Sequence, residues 1–178
     1  MSAVLSPDVF RQTTVAEPVP IGRPAMLSLQ PSVARLFGAE DIAETGMLAG
    51  WSDVEAGHAW HNGIDATLLV ATRQRPGPAE LEIGLEPYVT RQNPMQEMTL
   101  YANGARAGYW QFDRREVVRV NAWIDPGWWR EVHERAVLRL VMHMPQAVCP
   151  REIGDGEDMR RLAFSFRTIT LLPSRMEV

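Results

Sequence analysis

A two-residue hydrophobic period runs through most of this chain after Met47, and it constrains the fold more than any other feature. Residues 80–86 (ELEIGLE) alternate apolar and polar side chains, and residues 137–144 (VLRLVMHM) alternate in the same way. Successive side chains of a strand point to opposite faces, so this alternation predicts strands with one buried and one wet face. No long segment shows the period of an amphipathic helix. The body of the chain is therefore expected to be antiparallel β-sheet.

The alternating segments are short and separated by turn residues. Seven or eight strands are predicted, at residues 64–72, 80–86, 97–102, 105–112, 116–124, 137–144 and 162–172. Asn103-Gly104 predicts a tight hairpin, because a type I′ turn needs positive φ at both central residues. This pattern predicts an all-β fold, an antiparallel sandwich with jelly-roll-like character. Its long loops, at residues 73–79, 87–96, 125–136 and 145–160, are expected at the rims, where binding sites tend to lie.

The first 46 residues differ from the rest of the chain. They contain five prolines and little alternation. Ser6-Pro7-Asp8 fits the start of a short helix, with serine as the N-cap and proline at the first helical position, and residues 31–37 fit another turn or two. We therefore expect an irregular N-terminal arm with short helices at 1–46 and a β-sandwich domain at 47–178.

Composition excludes several classes of function. The net charge of −4 argues against non-specific binding to nucleic acid or to acidic membranes. No apolar stretch approaches the roughly 20 residues of a membrane span, and no signal peptide is evident, so a cytoplasmic protein without membrane insertion is expected. Cys149 is the single cysteine, so it cannot form a disulfide within the chain, and we expect its thiol to be inert. All 18 basic residues are arginine, whose planar fork suits carboxylate, phosphate or hydroxyl partners.

The stretch from residue 50 to 63 (GWSDVEAGHAWHNG) combines flat aromatic and polar groups. Asp53, Glu55 and His58 lie between Trp51 and Trp60, and His61 follows directly. A sugar ring can stack on a tryptophan face while carboxylates accept hydrogen bonds from its hydroxyls, and aromatic groups with polar neighbours suit other ligands too. Two alternatives remain open here. Both tryptophans can simply fill the edge of the core, or the two histidines and two acids can bind a metal ion, although their spacing matches no tight metal motif.

A second polar stretch lies late in the chain, at residues 145–166. Three acidic residues, Asp155, Glu157 and Asp158, precede Arg160 and Arg161. A bidentate Asp–Arg pair there would pin the loop to the last strand. A calcium site is the alternative, but the spacing is not that of a known calcium loop.

Two further functions are weighed on sequence grounds. Trp123 and the adjacent pair Trp128-Trp129 flank a turn, and neighbouring tryptophans of a strand point opposite ways, so one is expected to face solvent or a partner such as a second copy of the chain. The sequence has no nucleophile elbow, zinc-protease motif or phosphate-binding glycine loop. A hydrolase using Glu55 and Asp158 as paired carboxylates is the remaining enzymatic alternative. No catalytic residue, metal or cofactor is predicted.

The spacing of these residues resembles a known kind of module. The pattern comprises Gly50-Trp51, Glu55, Gly57, Trp60, Gly63 and Ala66, then Asn103-Gly104 and Trp110, then Pro145, Ala147, Pro150, Glu152-Ile153-Gly154, Asp158, Arg160 and Leu162. It resembles a β-sandwich module, similar in architecture to carbohydrate-binding modules, that is found in bacterial polysaccharide-related proteins and often beside glycosyltransferase modules. The resemblance covers residues 47–173. The chain departs from it at Cys149, where a small residue such as serine is expected, and at Ala163, where glycine is expected.

The resemblance implies a non-catalytic accessory role in bacterial cell-surface polysaccharide biosynthesis. The partner would be a carbohydrate or a glycosyltransferase. The ligand-binding residues expected from the pattern are Trp51, Glu55, Trp60, Asp158 and Arg160. First and last strands of a sandwich are often neighbours, so Glu55 is expected to meet Arg160, and Asp158 a loop amide or Trp60. The alternative is a structural interaction or oligomerisation sandwich that binds no sugar.

Overall fold

The computed structural model describes residues 44–55, 57–72 and 77–173. These residues form eleven strands and one 3-10 turn, Pro126–Trp128. In chain order the strands are β1 Glu44–Ala49, β2 Trp51–Glu55, β3 His58–His61, β4 Asp65–Thr72, β5 Ala79–Pro87, β6 Gln96–Ala102, β7 Ala105–Phe112, β8 Val118–Ile124, β9 Arg130–Val132, β10 Arg135–His143 and β11 Phe164–Pro173. The helices predicted for the arm lie outside the described residues, and β1 begins just before the predicted boundary between arm and sandwich.

The strands form two antiparallel sheets, which confirms the predicted β-sandwich. One sheet has the order β1-β4-β10-β6-β7, with β9 also paired to β10, and the other has the order β2-β3-β11-β5-β8. The chain passes repeatedly from one sheet to the other, as it does in jelly rolls. In the part of the chain described, no helix is long and apolar enough to cross a membrane.

Four of the eleven strands were missed by the sequence prediction. They are β1, β2, β3 and β9. β2, β3 and β9 have only five, four and three residues, which is too short to display a period. β2 and β3 also lie in a glycine-rich stretch that favours turns, and Gly50 and Gly57 both have positive φ. The predicted count of seven or eight strands was therefore too low.

The core lies between the two sheets and follows the alternation in the sequence. Along β5 the apolar residues Leu81, Ile83 and Leu85 are buried, while the three glutamates of the strand are partly exposed. The largest fully buried side chains include Trp129, Phe164 and Phe166. Burial of apolar surface of this kind is the main stabilising term of the fold.

The predicted hairpin at Asn103-Gly104 is confirmed. The φ angles are 47° at Asn103 and 89° at Gly104, and the turn joins β6 to β7. The Asn103 amide donates to the backbone carbonyls of Trp128 and Val137 and accepts from the N–H of Arg139. One side chain thus ties the hairpin to β10 and to the 3-10 turn.

The tryptophans near that turn differ in exposure. Trp129 is buried, and Trp128 is partly buried and packs against the core. Trp123, on β8, has 50% of its surface exposed. Of these three residues, Trp123 therefore presents the larger exposed surface, rather than either member of the adjacent pair.

The long loop between β10 and β11 is folded tightly and positions the candidate site. Val148 and Leu162 exchange two backbone hydrogen bonds, of 3.0 and 2.8 Å, that close the base of the loop. Inside the loop the Arg151 N–H donates to the Asp158 carbonyl at 3.0 Å, and the buried Cys149 thiol donates to the same oxygen at 3.4 Å. The loop therefore delivers Asp158 and the following arginines to the start of β11 in a defined position.

Candidate functional site

Four of the five predicted ligand-binding residues meet at one end of the five-stranded sheet. We call this group, with His58 added, the rim cluster: Glu55, His58, Trp60, Asp158 and Arg160. β3 pairs with β11, and Trp60 lies opposite Ser165, so the loop that precedes β11 passes the end of β3. The Gly63 N–H donates to the Arg161 carbonyl at 3.0 Å and holds the two segments together.

Arg160 is the centre of the rim cluster. Its Nε and Nη2 donate to Asp158 Oδ2 at 3.0 and 2.6 Å, and its Nη1 donates to Glu55 Oε1 at 3.3 Å. The Asp158 Oδ1 also accepts from the backbone N–H of Arg160 at 2.8 Å. The expected Glu55–Arg160 contact is therefore present, and Asp158 meets a loop amide. A guanidinium fork held on both sides in this way is fixed in orientation.

The charges of this group are stabilised by one another. Hydrogen bonds from Arg160 lower the pKa of Asp158, and the same bonds raise the pKa of Arg160. About a third of each side chain is exposed, 31% for Asp158 and 32% for Arg160. Both groups are therefore ionised at neutral pH. Both also remain accessible to a ligand.

Trp60 is partly buried between two other rings. His58 and Tyr88 approach it with ring centroids 6.2 and 6.0 Å away and interplanar angles of 84° and 88°. His58 Nε2 also lies 3.4 Å from Glu55 Oε2, which connects the indole to the charged part of the rim cluster. Perpendicular contacts of this kind fix the plane of an aromatic ring without a second ring stacked parallel on it.

Tyr88 extends the rim cluster and was not predicted from the sequence. Its hydroxyl donates to Asp155 Oδ2 at 2.5 Å, and the guanidinium of Arg115 lies 5.3 Å from the centre of its ring. Burial, together with the bond to Asp155, raises the pKa of Tyr88 to about 12. Tyr88 follows the end of β5, where the alternating pattern no longer indicates which way a side chain faces. No feature of the sequence therefore identified Tyr88.

Glu86 lies beside this group on the outer face of β5 and binds two arginines. Arg167 Nη2 is 2.6 Å from its Oε2, and Arg115 Nε is 3.3 Å from its Oε1. Burial alone would raise the pKa of Glu86, but the hydrogen bonds and charges of the two arginines outweigh it and lower the pKa. The alternation in residues 80–86 correctly predicted that Glu86 faces outward, but not which cations it meets.

Trp51, the fifth predicted residue, lies elsewhere. Its ring packs edge-on against Phe166 at 5.1 Å, and its Nε1 donates to the Thr67 carbonyl at 2.8 Å. It contacts the core and belongs to the packing of the sandwich. This placement agrees with the alternative in which a tryptophan of the motif fills the edge of the core.

His61 points into the core and not toward His58. It is fully buried, with its ring 6.5 Å from both Phe164 and Phe166, and its Nε2 accepts a hydrogen bond of 2.5 Å from the Ala163 N–H. Burial lowers its pKa to about 4, although the Gly63 backbone partly opposes this change. Residues three apart in a strand face opposite ways, so the alternative of a metal site formed by His58 and His61 is wrong. Across the described ranges, no group of three His, Cys, Asp or Glu side chains is placed to hold a metal ion.

Comparison with known proteins gives only distant similarities. No protein-family model matches the chain, and no curated protein matches it. Among solved structures it is similar to an exo-β-1,3-galactanase from Phanerochaete chrysosporium, solved with β-1,3-galactotriose, with a TM-score of 0.35 and 9% identity over 74% of this chain and 26% of the other. It is also similar to a cycloisomaltooligosaccharide glucanotransferase from a Paenibacillus species, complexed with cycloisomaltoheptaose, with a TM-score of 0.34 and 8% identity over 72% and 16%. The chain thus spans about a quarter or less of these proteins.

Proposed function

We propose that this domain is a non-catalytic carbohydrate-binding module and that the rim cluster is its binding surface. The observation that carries the proposal is a partly exposed indole, Trp60, held in a fixed plane beside an ordered set of carboxylate and guanidinium groups. A sugar presents an apolar C–H face and a ring of hydroxyls. The indole suits the first, and pre-oriented Glu55, Asp158 and Arg160 suit the second.

The charges of the rim cluster support a binding role over hydrolysis. A glycosidase needs one carboxyl group that stays protonated near neutral pH, and this requires a raised pKa. Asp158 has a lowered pKa because Arg160 binds it, and the same arginine also contacts Glu55. The environment of Asp158 does not favour a general acid, so the hydrolase alternative, which pairs Asp158 with Glu55, is the weaker one.

The biological setting belongs to the same proposal. The spaced motif resembles modules of bacterial polysaccharide-related proteins that often lie beside glycosyltransferase modules. On that resemblance we propose an accessory, cytoplasmic role in cell-surface polysaccharide biosynthesis. The domain would hold a glycan, or dock a glycosyltransferase, near the site of synthesis.

A glycan array that includes neutral and acidic bacterial polysaccharides tests the proposal. We expect the wild-type domain to bind a subset of the glycans and Trp60→Ala to lose that binding while it keeps a cooperative thermal transition. Arg160→Gln should weaken the binding of the same glycans. Arg114→Ala is the matched control, because that arginine is 77% exposed and lies outside the rim cluster. Binding that is absent for the wild type, or that is unchanged in Trp60→Ala, would contradict the proposed function.

A further inference from the structure

The outer face of the five-stranded sheet presents a continuous row of side chains that leads away from the rim cluster. We call it the β5 lane. The register places Ser165 next to both Trp60 and Glu86, at the rim end. At the far end the residues next to Glu80 are Leu172 and Trp123. A tryptophan therefore stands at each end of one sheet face.

The lane is long enough for an extended ligand. Glu86 and Glu80 mark its two ends on β5 and are six positions apart. A strand rises about 3.3 Å per residue, so the lane is about 20 Å long. A single sugar contacting Trp60 would leave the Trp123 end unused, whereas a chain of several sugars would reach it.

In the middle of the lane β5 contributes no side chain. Gly84 lies there between Thr168 on β11 and Arg119 on β8. A Cβ at Gly84 would come within 2.4 Å of the Thr168 hydroxyl oxygen, so that hydroxyl occupies the space that a side chain would need. Gly84 itself is buried, so the short Thr168 side chain, rather than a side chain of β5, lines the middle of the lane between the two tryptophans.

The lane carries polar groups with balanced charge. Three glutamates of β5 face outward, and three arginines lie near them: Arg167 and Arg115 contact Glu86, and Arg119 Nε is 3.9 Å from Glu82. The Ser165 hydroxyl is buried at the rim end and has no hydrogen-bond partner among the described residues. Balanced ion pairs favour an uncharged ligand rich in hydroxyls over a strongly charged one.

The exposed apolar groups at the far end do not form a protein-binding patch. Trp123 is 50% and Leu172 40% exposed, but Glu80 stands between them in the register. Protein interfaces usually bury a contiguous apolar centre. A sugar chain instead needs isolated flat surfaces separated by hydrogen-bonding groups, and the β5 lane has this arrangement.

We propose that the β5 lane binds a linear, uncharged oligosaccharide of several units, which contacts Trp60 at one end and Trp123 at the other. This inference rests on the proposed function and makes it more specific, because it names the shape and charge of the ligand. The rim cluster holds one end of the glycan, and the outer face of the sheet holds the rest.

The probes are linear neutral gluco-, galacto- and manno-oligosaccharides from disaccharide to octasaccharide, titrated by calorimetry. For at least one series, we expect affinity to rise with length until the lane is covered. Trp123→Ala should lower the affinity for the octasaccharide about tenfold, the loss expected for one aromatic contact, and leave the affinity for the disaccharide unchanged. Trp60→Ala should weaken every length. Tyr109→Ala is the matched control. Tyr109 lies on β7, which is an edge strand of the other sheet, just as β8, the strand of Trp123, is an edge strand of this sheet.

The outcomes separate this inference from the proposed function. If array glycans bind through Trp60 but affinity does not grow with length, or Trp123→Ala does not weaken the octasaccharide, the lane is refuted and the rim cluster stands. Failure of every array glycan and every oligosaccharide refutes both. Wild-type self-association in sedimentation that Trp123→Ala abolishes, with oligosaccharide affinity unchanged, would make this face a protein interface and overturn the inference. A melting temperature close to that of the wild type shows that each variant remains folded.

Discussion

Arg160 Nη1 lies 3.3 Å from Glu55 Oε1, although 105 positions separate the two residues in the chain. The contact exists because β3 pairs with β11, which brings the segment before β11 beside the end of β2 and β3. The sequence motif contains both charges, and for that reason the two residues were expected to meet. The order of the strands in the sheet explains why they do. What the contact contributes to stability depends on its exposure.

The first prediction is that the Glu55–Arg160 pair contributes little to folding. With 45% and 32% of the side chains exposed, water and salt screen the attraction. A double-mutant cycle of Glu55→Gln and Arg160→Gln, measured by urea unfolding, should give a coupling of about 0.2–1 kcal/mol. A coupling above about 3 kcal/mol would instead identify a buried structural clasp. Arg114→Gln serves as the exposed control.

The second prediction concerns pH and His61. Its pKa is about 4 in the folded protein against 6.5 for an unperturbed histidine, so the unfolded chain binds more protons between these values. The contribution of neutral His61 to the free energy of unfolding is fully present above about pH 6.5 and is lost as the pH falls toward 4. The loss should total roughly 3 kcal/mol, since each unit of pKa difference corresponds to about 1.4 kcal/mol.

Other groups titrate in the same range, so the His61 effect is measured against a variant. Asp158 and Glu86 have lowered pKa values and also lose their stabilising contacts in acid. His61→Gln keeps an acceptor for the Ala163 N–H but cannot gain a proton on that side chain. Chemical unfolding of both proteins at pH 7, 5.5 and 4 should show a steeper decline in the wild type. Parallel declines would mean that His61 does not titrate as its burial implies.

The third prediction concerns Gly50, at the turn between β1 and β2. Its φ is 75°, and a Cβ there would lie 1.9 Å from the Asp65 carbonyl oxygen. Gly50→Ala therefore combines backbone strain with a clash and should destabilise the fold by about 2–4 kcal/mol. Gly104→Ala is the control, because its φ is 89° but no atom lies within 4 Å of the added carbon. It should cost only about 1 kcal/mol in the same urea titration. Equal losses would show that the backbone at Gly50 moves to relieve the clash.

Alternation predicted the sandwich because a buried face imposes it on every long strand. Residues 80–86 and the Asn103-Gly104 hairpin are local signals, and both describe the structure correctly. Strand β3 is held by pairing with β11, which lies about a hundred residues away, and β2 joins the sheet only through β3, so no local signal marks either strand. The same dependence on distant strand pairing explains which residues of the site the sequence did not indicate. Spacing indicated Glu55, Trp60, Asp158 and Arg160, but Tyr88 and Ser165 join them only through the register of distant strands.

The last prediction separates the two tryptophans of the 50–63 stretch, which the sequence could not distinguish. Trp51 donates a hydrogen bond to the Thr67 carbonyl and packs on Phe166, so its removal leaves a cavity and an unpaired carbonyl oxygen. Trp51→Ala should therefore lower the free energy of unfolding by at least about 2 kcal/mol. Trp60 makes ring contacts at a partly exposed edge, and Trp60→Ala should cost less. Glycan affinity should show the reverse order, with a large loss in Trp60→Ala and little change in Trp51→Phe, which preserves an aromatic ring in the core.

Urea unfolding and calorimetric titration of the same preparations measure both quantities. The comparison is informative because stability and binding are expected to change in opposite order at two residues nine positions apart. If Trp51→Phe also lost glycan binding at unchanged stability, Trp51 would belong to the binding surface despite its packing. If Trp60→Ala were the more destabilising variant and binding were unaffected, the indole of Trp60 would be a structural residue, and the rim cluster would not be a carbohydrate site.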